Sequence, residues 1–160
     1  MRIGIGYDSH RFVDGRRFIL GGIEIPHEKG LLGHSDADVL IHAMCDAILG
    51  ALGKGDIGRH FPDTDPAYKD ISSITLLQKV HAMAEEMGFW VNNVDSTVIL
   101  EKPKVMGYMH EMALNISKAL DISEDRVNVK AKTNEGMGFI GRDEGIAAFA
   151  VVTIREKDYK

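Results

Sequence analysis

The chain has 160 residues, 44% of them hydrophobic and 27% charged, and a formal net charge of -5. The length suits one domain of ordinary size. The composition excludes wholesale disorder, and the acidic balance lacks the basic footprint of a nucleic-acid binder. One cysteine, Cys45, rules out a disulfide framework. No apolar run reaches the roughly 18–20 residues of a membrane span. The opening MRIGIGYDSHRF places polar residues where a secretory signal needs an apolar stretch. The expectation is a single cytoplasmic domain over residues 1–160, with neither nucleic acid nor membrane as partner. The sequence holds 17 Gly and 7 His, several of the latter close to Asp, which directs attention to loops that approach a ligand and to metal sites.

In chain order, residues 2–7 (RIGIGY) read as a short buried strand that Asp8-Ser9-His10 leaves. RRFILGGIEIP reads as a hairpin around Gly21-Gly22, followed by the Gly-rich loop HEKGLLGHSDAD. A helix is predicted from about Asp36 to Leu52, with Val39, Leu40, Met44, Ala47, Ile48 and Ala51 at helical spacing. Ser35 is its expected N-cap, Asp36 and Asp38 fall in its first turn, and Gly53 ends it. KGDIGRHFPDTDPAYKD is a long loop of the kind that is usually functional. A second helix is expected from Ser72 to Met87, then the strand FWVNNVDSTVILE and a third helix from Met106 to Leu120. The strand VNVKAKTN runs into the turn NEGMGFIGRDEG. IAAFAVVTI, apolar almost throughout, is expected to be a central strand covered on both faces. This order predicts an α/β (α+β) sandwich: a mixed sheet with helices on one face and ferredoxin-like βαβ character.

Several groupings carry chemistry. Asp8-x-His10 places a carboxylate and an imidazole on one side of an extended segment. His42 lies inside the first helix, with Asp38 a turn before it and Asp46 a turn after. Brought together, Asp8, His10 and His42 form an N2O set with a vacant fourth position, the ligand set of catalytic zinc sites. Spacing alone also fits a satisfied core histidine and a plain strand end. Asp46 is a candidate acceptor for the far side of the His42 ring, or a solvated acid on a helix face. His34 and Ser35 precede a helix N-terminus, where unpaired N–H groups attract phosphate; for Ser35 the alternative is an ordinary cap. Asp56, His60, Asp63 and Asp65 line one loop beside Gly55 and Gly58, suited to metal, ribose hydroxyls or an amine, or simply solvated. In TNEGMGFIGRDEG, Thr133 and Glu135 leave a strand and a Gly-rich turn follows, which can present N–H groups to phosphate, with Arg142 adding a fork for its oxygens. A P-loop is absent, and GMGFIG is followed by Arg-Asp-Glu rather than by a helix, so it is no dinucleotide fingerprint. These groupings point to metal-assisted phosphoryl chemistry on a small diphosphate.

GYDSHRF, LGGIEIPHEKGLLGHSDADVLIHAMCDAILGALGKGDIGRHFPDTDPAYK and TNEGMGFIGRDEGIAA together resemble the 2-C-methyl-D-erythritol 2,4-cyclodiphosphate synthases of the non-mevalonate isoprenoid pathway, from residue 2 to about residue 150. The resemblance implies a lyase, a homotrimer with active sites shared between subunits, and conversion of 4-diphosphocytidyl-2-C-methyl-D-erythritol 2-phosphate into the cyclic diphosphate with release of CMP. It implies zinc on Asp8, His10 and His42, with Glu135 helping to place magnesium or manganese on the substrate diphosphate. His34 and Thr133 match the residues that stabilise the transition state. Substrate contacts are implied for Asp8, Ser9, His10, His34 and Ser35, and for Asp56, Ile57, Gly58, Phe61, Pro62, Asp63, Thr64 and Asp65 on the methylerythritol-phosphate side. On the cytidine side they are implied for Leu100, Pro103, Lys104, Val105 and Met106, with Ala131, Lys132, Thr133, Asn134 and Glu135. Phe139 and Arg142 match positions at the trimer's central cavity, where an isoprenoid diphosphate is the implied occupant. Two places depart from the family pattern. Leu100-Glu101-Lys102 is less typical before Pro103, and Asp143 stands where Gly is common, placed to pair with Arg142. A metal-dependent phosphohydrolase and a trimeric isoprenoid-phosphate binding module are the rival readings.

Overall fold

In the computed structural model, which describes residues 1–156, strand β1 runs from Arg2 to Asp14. It does not stop at Tyr7: Asp8, Ser9 and His10 lie in mid-strand, because their backbones continue the ladder with the last strand, Asp8 opposite Ala148 and His10 opposite Ile146. Polar side chains had suggested an exit, but a ladder is made of main-chain groups and tolerates them. The hairpin forms as predicted, β2 (Phe18–Leu20) against β3 (Ile23–Ile25). The Gly-rich loop after it contains a further short strand, β4 (Lys29–Leu31), antiparallel to the end of β1.

Helix α1 spans Val39–Leu52 and starts later than expected. Its N-cap is Asp38, whose side chain accepts from the Ile41 N–H, and Ser35 lies outside it. The left-handed backbone at Ala37 (φ 59°) interrupts any helix begun at Asp36, so neither Asp36 nor Asp38 is in the first turn. Gly53 closes the helix in the left-handed conformation, as read from the sequence. The long loop holds a single turn of helix, α2 (Ile57–His60), and a 3-10 turn at Pro66–Tyr68. Helix α3 (Ser73–Glu86), strand β5 (Phe89–Ile99) and helix α4 (Met109–Ala119), entered by a 3-10 turn at Met106–Tyr108, follow the predicted order. After β6 (Val127–Lys132) a single turn, α5 (Gly138–Gly141), precedes β7 (Gly145–Glu156). Residues 157–160, which carry no motif in the sequence, lie outside the described residues.

The main sheet has five strands in the order β4-β1-β7-β5-β6. All its pairs are antiparallel except β5–β6, which is parallel and joined through α4. The core lies between one sheet face and helices α1, α3 and α4, with α1 running across β1 and β7. β7 is central, as predicted, but within this chain only one of its faces is covered. Ile146, Ala148, Ala150, Val152 and Ile154 are buried, while Phe149 and Val151 are 41% and 40% exposed. Beside them Ile3 and Ile5 of β1 are 69% and 70% exposed, and Tyr7 packs against Phe149 in a tilted arrangement with ring centroids 4.9 Å apart.

Helix α1 reaches β1 with no side chain between the two backbones. A Cβ on Gly6 would stand 1.8 Å from the Ala43 carbonyl oxygen, and one on Gly4 the same distance from that of Ala47. Gly6→Ala must therefore lift the helix from the strand. The expected cost is at least the roughly 1–3 kcal/mol of core overpacking, seen as a lower denaturant midpoint. An unaltered midpoint would show that the contact is looser than described.

Candidate active site

Alternation along β1 turns Gly4, Gly6, Asp8 and His10 to the helix side, while Tyr7 and Ser9 face outward. The glycines bring α1 close, and His42 near its start then meets Asp8 and His10. Asp8 Oδ2 lies 2.9 Å from His10 Nε2 and 3.0 Å from His42 Nδ1, and the two nitrogens are 3.1 Å apart. All three residues are partly buried, and they form the one group of this kind among the described residues whose ligand atoms lie within 4.8 Å of one another. Burial pushes the Asp8 carboxyl up, but hydrogen bonds and positive charge from His10 and His42 outweigh it and hold the group well below the usual carboxylate range. Burial pulls His10 down, and Asp8 more than restores it, so the imidazole binds a proton more tightly than usual. The donor set of two imidazoles and a carboxylate fits a divalent metal of borderline softness, for which zinc is the usual occupant.

The outer partners differ from those expected. Asp46 is not among the hydrogen-bond partners of the His42 ring; its carboxylate accepts from the Ile57 N–H at 2.7 Å and so anchors α2. Burial raises its pKa, with the charges of Asp56 and Asp8 adding to the effect against that hydrogen bond. The far side of the His42 ring meets the hydroxyls of Ser73 (2.9 Å) and Ser35 (3.1 Å), and His10 Nδ1 donates to the Leu32 carbonyl at 2.7 Å. Arg16 holds the intervening loop by donating to the carbonyls of Gly33 and Ser35. Neither Ser73 nor Arg16 carries a sequence signal, since a lone hydroxyl and a loop arginine have no diagnostic spacing.

The cluster opens into a cleft of about 450 Å³. His34, Ser35, Ile57, Gly58, Phe61, Pro62 and Asp63 line it as the sequence suggested, joined by Gly33, Tyr68, Ile71 and Leu76, which it did not. His34 Nε2 donates to the Asp65 carbonyl at 3.1 Å. Asp56 and Asp65 act as local caps, Asp56 accepting from the Arg59 N–H and Asp65 from that of Ala67. With Thr64 they lie outside the cleft lining, and His60 donates to the Lys54 carbonyl.

A second, smaller pocket of about 120 Å³ gathers Leu100, Pro103, Lys104, Val105, Met106, Ala131, Lys132 and Thr133, together with Glu101 and Met109. It shares no lining residue with the cleft. Beyond it, Thr133 Oγ1 donates to Glu135 at 2.8 Å. Glu101, whose identity the sequence had left without a role, accepts from the N–H groups of Asn134 (2.9 Å) and Gly136 (3.2 Å). The backbone N–H groups of that turn are thus held by a carboxylate of the chain itself. Ser9 and Phe139 line another hollow, which shares His10 with the cleft. Arg142 pairs with Glu144 through Nε and Nη2 (2.8 and 3.2 Å), not with Asp143, whose left-handed backbone (φ 58°) carries its side chain elsewhere.

Removing the Glu101 carboxylate frees two amides at once. A hydrogen bond to a charged group contributes about 1.5–3 kcal/mol. In Glu101→Ala, hydrogen exchange at Asn134 and Gly136 is therefore expected to accelerate about tenfold or more while α1 and α3 keep their protection. Equal exchange in the two proteins would remove Glu101 from the account of this loop.

Comparison with known proteins gives one answer along the whole length. The family model described as the YgbB family matches residues 1–155. The 2-C-methyl-D-erythritol 2,4-cyclodiphosphate synthase of Syntrophus aciditrophicus is 58% identical over 156 residues, covering 98% of each chain. That of Caldicellulosiruptor bescii is 59% identical over 155 residues, covering 97% of this chain and 99% of its own. Among solved structures, the CDP complex of IspF from Plasmodium falciparum is similar with a TM-score of 0.85 at 35% identity, over 98% of this chain and 97% of that one.

Proposed function

The chain belongs to the YgbB family, and we propose from that premise that it converts 4-diphosphocytidyl-2-C-methyl-D-erythritol 2-phosphate into 2-C-methyl-D-erythritol 2,4-cyclodiphosphate, releasing CMP as a phosphorus–oxygen lyase of the non-mevalonate pathway. The observation that carries the reading is the meeting of Asp8 Oδ2, His10 Nε2 and His42 Nδ1 at the mouth of a cleft large enough for a small phosphorylated sugar alcohol. In the reaction an oxygen of the 2-phosphate forms a bond to the β-phosphorus of the CDP group. The bond from that phosphorus to the bridging oxygen breaks, and CMP leaves with the electron pair. Atoms balance without water and without a protein nucleophile, so the chain's task is to position two phosphates and offset their repulsion.

Asp8, His10 and His42 would hold zinc, and Glu135 would help to hold magnesium or manganese with the diphosphate. Such cations supply Lewis-acid polarisation of phosphoryl oxygens, worth several kcal/mol of barrier. His34 presents a ring fixed by the Asp65 carbonyl, and Ser35 a hydroxyl, toward the same cleft. Ile57, Gly58, Phe61, Pro62 and Asp63 would enclose the methylerythritol phosphate, with Asp56, Thr64 and Asp65 shaping that loop. Leu100, Pro103, Lys104, Val105 and Met106, with Ala131, Lys132 and Asn134, would receive cytidine, and Thr133 would act on developing charge.

Two observations support assembly as a homotrimer. The cleft and the smaller pocket have no lining residue in common, so a neighbouring subunit would supply the cytidine pocket beside each metal cluster. The apolar sheet face bearing Ile3, Ile5, Tyr7, Phe149 and Val151 needs cover, since monomers rarely expose large contiguous apolar patches. Phe139 and Arg142 would then face a central cavity suited to an isoprenoid diphosphate, whose anion would compete with Glu144 for the guanidinium. The shared core of the sheet and its helices supports one domain over residues 1–160, and the parallel β5–α4–β6 crossover supports the ferredoxin-like character. No described helix is long and apolar enough to cross a membrane, which agrees with a cytoplasmic location.

Incubation with the CDP substrate and magnesium is expected to release CMP and the cyclic diphosphate in equal amounts. Inorganic phosphate or linear products would instead identify a phosphohydrolase. His42→Ala should keep its helix, Ala being the better helix former, and lose about two or more orders of magnitude in rate together with its zinc; a variant with full zinc content and rate would refute the ligand assignment. Light scattering should give a native mass near three chain masses, and a fully active monomer would sink the shared-site proposal.

A further inference from the structure

An imidazole that ligates a metal through one nitrogen must keep its proton on the other. For His10 a carbonyl makes the choice: Leu32 O can only accept, so Nδ1 carries the proton and Nε2 turns to the cluster. For His42 the choice falls to hydroxyls, which both donate and accept. Its Nδ1 faces Asp8 and His10, and its Nε2 lies 2.9 Å from Ser73 Oγ and 3.1 Å from Ser35 Oγ. What each hydroxyl does therefore depends on its own other partner.

The Ser73 hydroxyl donates to Asp36 Oδ1, a carboxylate that can only accept. With its proton committed, Ser73 Oγ is left to accept from His42 Nε2–H. The carboxylate is itself fixed. Asp36 Oδ2 accepts from the Ser73 N–H at 2.9 Å, Oδ1 also accepts from the Asp38 N–H at 3.2 Å, and the Asp36 N–H donates to the Ile71 carbonyl. Ser72, at the N-cap position of α3, makes no side-chain capping bond, so Asp36 supplies from a distant loop the acceptor for the first N–H of that helix. Ser73 is fully buried, so no water substitutes for the carboxylate. Ser35 differs. Its Oγ accepts from the Ala37 N–H, and its own proton is not committed to a carboxylate.

We propose that Ser73, held by Asp36, is a positioning residue that accepts a hydrogen bond from His42 Nε2–H and so favours the ring tautomer whose Nδ1 lone pair faces Asp8 and His10. This deepens the metal reading above and rests on it. Without the Ser73 hydroxyl, Ser35 alone faces Nε2 and is free to donate to it. The opposite tautomer, with Nδ1–H donating to Asp8 Oδ2 3.0 Å away, then competes, and a metal must displace that proton. A hydroxyl that merely helped to start α3 would leave the ring's tautomer unchanged.

The test is the ring-nitrogen spectrum of His42 in the metal-free full chain at about pH 9, well above the ordinary imidazole range of about 6.5, together with zinc affinity by competition with a chelating indicator. The wild-type chain is expected to show a population of His42 protonated on Nε2, and Ser35→Ala the same spectrum. Ser73→Ala should shift the ring toward Nδ1–H and weaken zinc binding about 10- to 100-fold. Asp36→Asn, which weakens the hold on the Ser73 proton, should move both readouts in the same direction. A wild-type His42 protonated wholly on Nδ1 would overturn the proposal without any variant, as would a folded Ser73→Ala with unchanged tautomer and zinc affinity. A wild-type chain that takes up no zinc would overturn the metal reading instead, and is distinguishable because the spectra are recorded without metal.

Discussion

Everything at the site depends on how closely helix α1 lies on strand β1. Two glycines remove the side chains that normally keep a helix and a sheet apart, and the helix answers with alanines, Ala43 and Ala47, at the points of contact. The match is periodic. Two residues of strand advance about 6.6 Å and four residues of helix about 6 Å, so one backbone contact leads to the next. Gly4 meets Ala47 and Gly6 meets Ala43, with strand and helix numbered in opposite directions. Continuing the register brings Asp8 and His10 level with the first turn of α1, where His42 stands. The ligand triangle is thus a continuation of backbone packing.

A cluster of two imidazoles and a carboxylate is costly to assemble in a half-buried place unless positive charge joins it. The chain meets this by tying each outer atom of the triangle to a different element. His10 is held by the main chain next to β4 and His42 by the first residue of α3, while the loop between β4 and α1 is gripped by Arg16. The small strand β4 and the start of α3, both remote from the ligands in sequence, therefore set the aim of the ligands.

The legible parts of the fold were those where side-chain periodicity decides the outcome. Helix α3, strand β5, the hairpin and the end of α1 at Gly53 follow their patterns closely. The errors fell where polar residues serve something other than local structure. Asp36 and Asp38 look like residues of a first helical turn. Instead Asp36 holds Ser73, while Asp38, fully buried, accepts from the Gly22 N–H as well as capping the helix. Burial and the charge of Asp36 push the Asp38 carboxyl up from its ordinary range. Asp8 and His10 look like a strand end because a carboxylate and an imidazole interrupt an apolar alternation. Asp46 was placed correctly on the helix and assigned the wrong neighbour, since sequence spacing gives a residue's face but not what the next loop brings to it. The ligand set itself was readable as residue types; that its members meet depends on Gly4 and Gly6, whose importance appears only when the helix is seen against the strand.

The order of strands has a consequence for how the chain is made. β7, the last described strand to be synthesised, lies in the middle of the sheet between β1 and β5. Until it emerges, the only native pairings open to the main sheet are β1 with β4 and β5 with β6, and nothing native joins the two pairs. Closing them requires Arg2 to find Ile154, a loop of nearly the whole chain, whose entropy must be met before the contact rewards it. A ribosome-bound chain therefore lacks the native partner of these strand edges for most of its synthesis, and Asp8 and His10 sit on a strand whose neighbour has not yet been translated.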